Sequence, residues 1–389
     1  MSILLLVIGL ILFIGLVIVH EYGHFIAAKR GGVEVEEFGI FFPPRLYKRR
    51  MKGGWDFTIN LLPLGGFVKL KGEHDSDTET GSFGAASLST KSKIMVAGVF
   101  MNLVTALVLL TILAAIGLPK LIPNQFTVKS DTHVASSKIL IGYIEPGSPA
   151  SKSGLKSSDQ LTEISQKGYS PVAIESTNQL PKLTKAFAGQ TVKVFYTRDG
   201  HQRHAVVTLL SAKEVEASKK TNDPKGYLGI SPNEFVVQRS TWSAPVVAVG
   251  LSAQITALTF QGLGHALEGL GGIIAGAVTG NTPARQSGQT QAASQVSGPV
   301  GIYVILKDGS TLGYQFMLFI IAIISLTLAI MNILPIPALD GGRLWITLVA
   351  RGLKRPLSPK REEAINAVGF LLLISLIIAI TFVDVKRFF

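Results

Sequence analysis

Residues 3–19 form an unbroken apolar run that continues into 20–28. A helix needs about 20 such residues to cross a bilayer core. Runs of the same kind extend over about 94–118, 316–334 and 364–383. Together they predict four spanning helices. Residues 242–277 are apolar too, but Gly, Ala, Ser and Gln dilute them, and His265 and Glu268 interrupt them. That stretch predicts one or two amphipathic helices lying in the membrane interface, with a further span as the alternative. The first run is expected to be a span and not a secretion signal. No basic residue precedes it, and no small-x-small site follows it.

The region between the second and third spans patterns differently. Residues 138–145 and 160–164 read as strands, separated by the turn Pro146-Gly147-Ser148-Pro149-Ala150 and a short helix ending at Gly154-Leu155. Residues 177–188 read as a helix. Residues 191–196 and 205–210 read as strands around the hairpin dipeptide Asp199-Gly200. Residues 221–225 read as a linker, 226–230 as a further strand of unassigned domain, and 280–297 as a polar mobile loop. The pattern over 142–210, "IGYIEPGSPASKSGLKSSDQLTEI" above all, resembles a PDZ domain. That resemblance implies capture of an extended segment by strand addition.

Composition narrows the class. Of the 389 residues 47% are hydrophobic and 16% charged, against roughly 25% charged in soluble domains. Cysteine is absent, which excludes disulfides and thiolate metal sites and leaves His, Asp and Glu as ligands. The formal charge is +12. The segment 29–93 holds eleven Lys/Arg, and 340–363 holds Arg343, Arg351, Lys354, Arg355, Lys360 and Arg361. Positive charge beside helix ends marks the cytoplasmic side, so 119–315 is expected outside. No basic stripe interleaved with aromatics supports nucleic-acid binding.

The first span ends in His20-Glu21-Tyr22-Gly23-His24. Residues four apart share a helix face, so both imidazoles reach one ion while Glu21 stands one step round as a proton acceptor. Ionisable groups at membrane depth are costly and mark function. A catalytic zinc takes three protein ligands. Of the remaining histidines, His74 lies in an acidic stretch, His201 and His204 in the outer hairpin, and His265 is the one serious alternative. Asp340 suits better. It follows Pro335 and Pro337, which break the third span, and precedes Gly341-Gly342. Irregular backbone at that depth belongs where it is buried in protein or lines a wet cavity.

H-E-x-x-H in the first span with N-x-x-P-x-P-x-L-D-G-G after the third resembles the site-2 protease family of intramembrane zinc metalloproteases. "FGIFFPPRL", "LPLGGFVKL", "VAGVFMNLV" and "SGPVGI" agree, so the likeness covers nearly the whole chain. Val99 stands where the family commonly has proline. The single PDZ-like module is similar to the bacterial subgroup that cleaves anti-sigma factors. The resemblance implies one zinc per chain on His20, His24 and Asp340, with Glu21 as general base and acid. It implies that Asn332 contacts the substrate backbone. It also implies a membrane-associated β segment at Gly65, Gly66, Phe67, Val68, Lys69 and Leu70. Asn102 is read as structural.

The expected fold is therefore a polytopic α-helical membrane protein with about four transmembrane helices, that β segment, and one inserted extracytoplasmic PDZ-like α+β domain. The expected division is 1–118 and 316–389 for the membrane core, 119–225 for the PDZ-like domain and 226–315 for interfacial helices and loop. The implied partners are a single-span membrane-protein substrate, a peptide or trimmed substrate terminus at the PDZ-like domain, and the lipid bilayer of a bacterial inner membrane. A silent PDZ scaffold and a metal transporter are the rival functions. The intact His20, Glu21, His24 and Asp340 set and the lack of an internal repeat argue against them.

Overall fold

The computed structural model describes residues 2–73, 77–166, 168–198, 200–221, 223–295, 298–353 and 358–388. His74, Asp199, Asn222, Ser297, Lys354 and Arg355 lie outside the described residues. Two compact units emerge. One comprises Met1–Leu5, Ile112–Val247 and Gly309–Phe316; the other comprises Leu6–Thr111, Ala248–Asp308 and Met317–Phe389.

The chain opens with α1 (Ser2–Arg30). It stops at Gly32, whose φ of +75° lets Val33 N–H reach back to the Ala28 carbonyl at 2.9 Å. Strands β1 (Val35–Arg50) and β2 (Asp56–Leu70) follow, then α2 (Leu88–Ile116). Each long strand bends, so the pair makes four antiparallel runs. Residues 35–40 pair with 66–70 on one side and 56–59 on the other, and 56–60 pair in turn with 45–50. Residues 66–70 are thus an outer run, entered through Gly65 at φ +155°. Val33, Val35, Leu70, Phe83, Ile94, Met95 and Ala28 bury together, fixing this sheet to α1 and α2.

The other unit is built on a mixed-length antiparallel sheet. Its elements are β3 (Leu118–Pro119), β4 (His133–Ile144), α3 (Pro149–Lys152), β5 (Gln160–Gln166), β6 (Val172–Ala173), α4 (Gln179–Ala186), β7 (Thr191–Arg198), β8 (His201–Thr208), α5 (Ala212–Ser218) and β9 (Ile230–Arg239). The strand order is β3-β9-β4-β5-β7-β8, with β6 on β5. Ile139, Ile141, Leu161, Ile164, Val192, Val194 and Val207 bury one face, covered by Leu180 of α4. Beneath them Asp159, 1% exposed, takes two hydrogen bonds of 2.6 Å from Arg198. The expected strand at 226–230 is in fact the approach to β9. It begins at Ile230 and pairs along β4, so the sheet runs past the boundary expected at 225. Helix α5 went unforeseen, although Ser211 and Glu214 spell a capping box.

Asp131 precedes β4 and accepts from Thr241 N–H at 2.8 Å, Ser243 N–H at 3.0 Å and the Ser243 hydroxyl at 2.6 Å. It closes the entry to α6 (Ala244–Thr279). The hydroxyls of Ser243 and Thr241 hold its carboxyl well below the usual range.

The remaining helices are α7 (Thr282–Gln295), α8 (Pro299–Leu312), α9 (Tyr314–Ile333), α10 (Asp340–Gly352) and α11 (Pro359–Phe388). Residues 242–277, expected as one or two interfacial helices with a further span as the alternative, form one helix of 36 residues, α6. Its glycines are contact points: a Cβ at Gly276 would stand 2.6 Å from the Arg285 amide nitrogen, and one at Gly288 would stand 2.8 Å from that of Ile273. The loop expected over 280–297 is corrected: Thr282–Gln295 form α7, started by the Asn281 side chain accepting from Ala284 N–H at 3.1 Å. Among the described residues, five helices are long and apolar enough to cross a membrane, against the four runs expected. With both sheets this makes a multi-pass membrane protein carrying β structure.

Candidate metal and catalytic site

His20 and His24 sit one turn apart in α1, and both are about nine-tenths buried at the side chain. Their Nε2 atoms are 3.2 Å apart. Asp340 arrives from the other end of the chain. Helix α9 stops at Ile333, the two prolines carry the backbone through a tight turn in which Ala338 takes φ +70°, and α10 starts at Asp340. Gly341 and Gly342 are required there. A Cβ at Gly341 would fall on the Leu334 and Ile333 carbonyls, and one at Gly342 on the Ile336 carbonyl. The first turn of α10 thus packs against bare backbone, and Asp340 is pressed toward α1. Its Oδ2 lies 2.9 Å from His20 Nε2 and 3.1 Å from His24 Nε2.

These three are the group of His, Asp and Glu donors close enough to share an ion among the described residues. Donors bound to one tetrahedral zinc at about 2.0–2.1 Å would stand roughly 3.3 Å apart. The observed separations of 2.9, 3.1 and 3.2 Å are slightly tighter. The ligand chemistry also fits: His24 Nδ1 is tied to the Ile94 carbonyl at 2.7 Å, which leaves Nε2 for a metal. His265, the alternative ligand, is not brought to this group. His201 and His204 are exposed on β8.

Glu21 lies beside the triangle. It takes a backbone hydrogen bond from Val68, and a Cβ at Gly66 would stand 3.1 Å from its Cγ. The outer run Gly66, Phe67, Val68, Lys69 and Leu70 therefore passes directly along the carboxylate. Gly65 stands at the bend before it, against the Phe42 ring. Asn332, in the last turn of α9, is half-buried. It is eight residues before Asp340. Asn102, read as structural, proves to touch the site: its Nδ2 is 3.2 Å from His20 Nδ1. The signal available in the sequence was its place four residues after Gly98 in the motif "VAGVFMNLV".

Comparison with known proteins identifies the family. The family model described as peptidase family M50 matches residues 8–376. A protein of Clostridium acetobutylicum, provisionally named a zinc metalloprotease, is 31% identical over 99% of this chain and 98% of its own length. A similarly named protein of Campylobacter jejuni is 30% identical over 96% of this chain and 90% of its own length. The zinc metalloprotease RasP of Shouchella clausii is 26% identical over 96% and 97%.

Proposed function

The chain belongs to peptidase family M50, the site-2 proteases, and is a zinc metalloendopeptidase; on that premise we propose that it hydrolyses a peptide bond within or near the transmembrane helix of a membrane-protein substrate. The carrying observation is the His20–His24–Asp340 triangle with Glu21 between it and an outer strand run.

In this reading His20, His24 and Asp340 hold the zinc. The ion supplies Lewis-acid polarisation of the scissile carbonyl and acidifies water. Glu21 takes a proton from the attacking water and returns it to the leaving amine as the C–N bond breaks. Asn332 holds the substrate backbone near the scissile bond. A helical substrate hides its carbonyls in i→i−4 bonds. It must unwind, and the open side of residues 66–70 offers a strand edge on which the unwound segment pairs. Gly66 keeps that edge close to Glu21, so a segment paired there would lie beside the base and the water it activates.

The sheet unit acts as a PDZ-like filter outside the cytoplasm, spanning the region expected at 119–225 and continuing through β9. Strand β3 covers β9 only at Val237 and Gln238, so residues 230–235 keep an open edge among the described pairings. Leu183 and Phe187 of α4 and Ile230 of β9 pack on the same core. An extended peptide, or a terminus trimmed by an earlier protease, would add there. The setting is regulated intramembrane proteolysis at a bacterial inner membrane, with an anti-sigma factor or a signal-peptide remnant as substrate.

The test is to incubate the purified chain with a single-span substrate in detergent and map the product ends by mass spectrometry. Ends within or next to the span are expected. Cleavage confined to soluble flanks would overturn the reading.

A further inference from the structure

Ile94, Gly98 and Asn102 are successive fourth residues of α2 and so form one stripe on it. Each meets the histidine pair in a different way. The Ile94 carbonyl accepts from His24 Nδ1 at 2.7 Å. Gly98 leaves the space the rings occupy. A Cβ there would fall on His24 Nε2 and lie 2.6 Å from His20 Cε1 and 2.7 Å from His20 Nε2. The Asn102 amide stands 3.2 Å from His20 Nδ1. Asn102 is 1% exposed, and its Oδ1 has no hydrogen-bond partner among the described residues.

A neutral imidazole carries one N–H and one lone pair. For Nε2 to ligate, the proton must sit on Nδ1 and needs an acceptor. His24 has one in the Ile94 carbonyl. His20 has one only if Asn102 turns its amide so that Oδ1 faces Nδ1. The two ends of an amide have the same shape, so the turn costs no space. The Asn102 backbone is itself pinned, since its carbonyl accepts from the buried Ser325 hydroxyl of α9 at 2.8 Å.

We infer that this α2 stripe is the orienting half of the metal site: Ile94 O and Asn102 Oδ1 hold the two Nδ1 protons, Gly98 admits the rings, and both Nε2 lone pairs are aimed at the ion. The inference rests on the reading that His20, His24 and Asp340 hold zinc. Asn102 is a positioning residue and touches no substrate. The competing role is an ordinary helix–helix hydrogen bond, common for Asn in spans.

The test compares Asn102→Leu and Asn102→Asp with wild type in detergent. The readouts are zinc affinity by chelator competition, the cobalt-substituted absorption spectrum, and the melting temperature of the metal-free protein. Asn102→Leu is expected to weaken zinc about 10–100-fold and alter the cobalt spectrum. Asn102→Asp, which still accepts from Nδ1–H, is expected to restore both. A lowered metal-free melting temperature with wild-type affinity and spectrum would overturn the inference. Gly98→Ala is expected to lose zinc, whereas Gly15→Ala, with no atom within 4 Å of its Cβ, is expected to keep it. That pair carries the test if Asn102→Leu does not fold, and zinc retained by Gly98→Ala would then overturn it. His20→Ala separates the two levels. If it keeps full affinity, the ligand reading itself is wrong. If it loses zinc while Asn102→Leu does not, only the orienting role is wrong.

Discussion

Gly66 passes Glu21 so closely that a Cβ on it would stand 3.1 Å from the Glu21 Cγ and 3.2 Å from the Gly39 carbonyl. The run proposed to offer its edge to substrate and the proposed base are therefore one packed unit. Gly66→Val should push the carboxylate aside or splay the strand from residues 35–40. The expected result is a fall in kcat of up to about 100-fold, the order a 1 Å displacement can cost, with zinc content unchanged. Phe67→Pro removes an amide and bends the run. It too should slow cleavage while zinc stays bound, as read by metal analysis beside a cleavage assay. Unchanged rates in both variants would detach the strand from the chemistry.

Asp131 predicts a pH signature in the other unit. Its carboxyl is held well below the usual range by the Ser243 and Thr241 hydroxyls. A depressed folded-state pKa contributes stability above the unfolded value, about 3.9, and loses it as pH falls through the folded one. The contribution is therefore whole at pH 7 and fades only in acid below about 4. Asp131→Asn should lower the melting temperature at pH 7 and flatten that acid-side loss. Thermal scans from pH 7 to pH 3 on both proteins check it.

Asp384 predicts a structural loss inside the apolar half. It is 1% exposed in α11 and accepts from Gly298 and Gly301 N–H at 2.8 Å each. It thus closes the N-terminal turn of α8, and a Cβ at Gly298 would stand 3.0 Å from its carboxylate. Asp384→Ala leaves two buried amides without partners, at about 1–3 kcal/mol each. A clear drop in thermal stability in detergent is expected, with cleavage at permissive temperature retained.

How much of this was readable beforehand differs residue by residue. His20, Glu21 and His24 stood out because a polar trio within an apolar run admits few structural uses. Asp340 was readable because two prolines and two glycines bracket it, and the structure shows why: the turn has no room for a Cβ at Gly341 or Gly342. Asn102 was not, since an Asn in a span looks the same whether it faces a helix or a ligand. Its partner is set by how α2 packs on α1. Helix α7, expected as a loop, and the unbroken length of α6 were hidden for a related reason. Local composition scores Gly, Ser and Gln as loop or interface, whereas their small surfaces let the two helices meet at Gly272, Gly276 and Gly288. The doubled pairing of β1 and β2 is likewise invisible to alternation alone, because one strand serves two registers across its bend.

The central claim is that Glu21 is the base of a zinc peptidase whose ligands are His20, His24 and Asp340. Its most direct test is cleavage of a single-span substrate by wild type and Glu21→Gln, with zinc measured on both. Cleavage and bound zinc are expected in wild type, and bound zinc without cleavage in the variant. Cleavage at the wild-type rate by Glu21→Gln with zinc bound would contradict it.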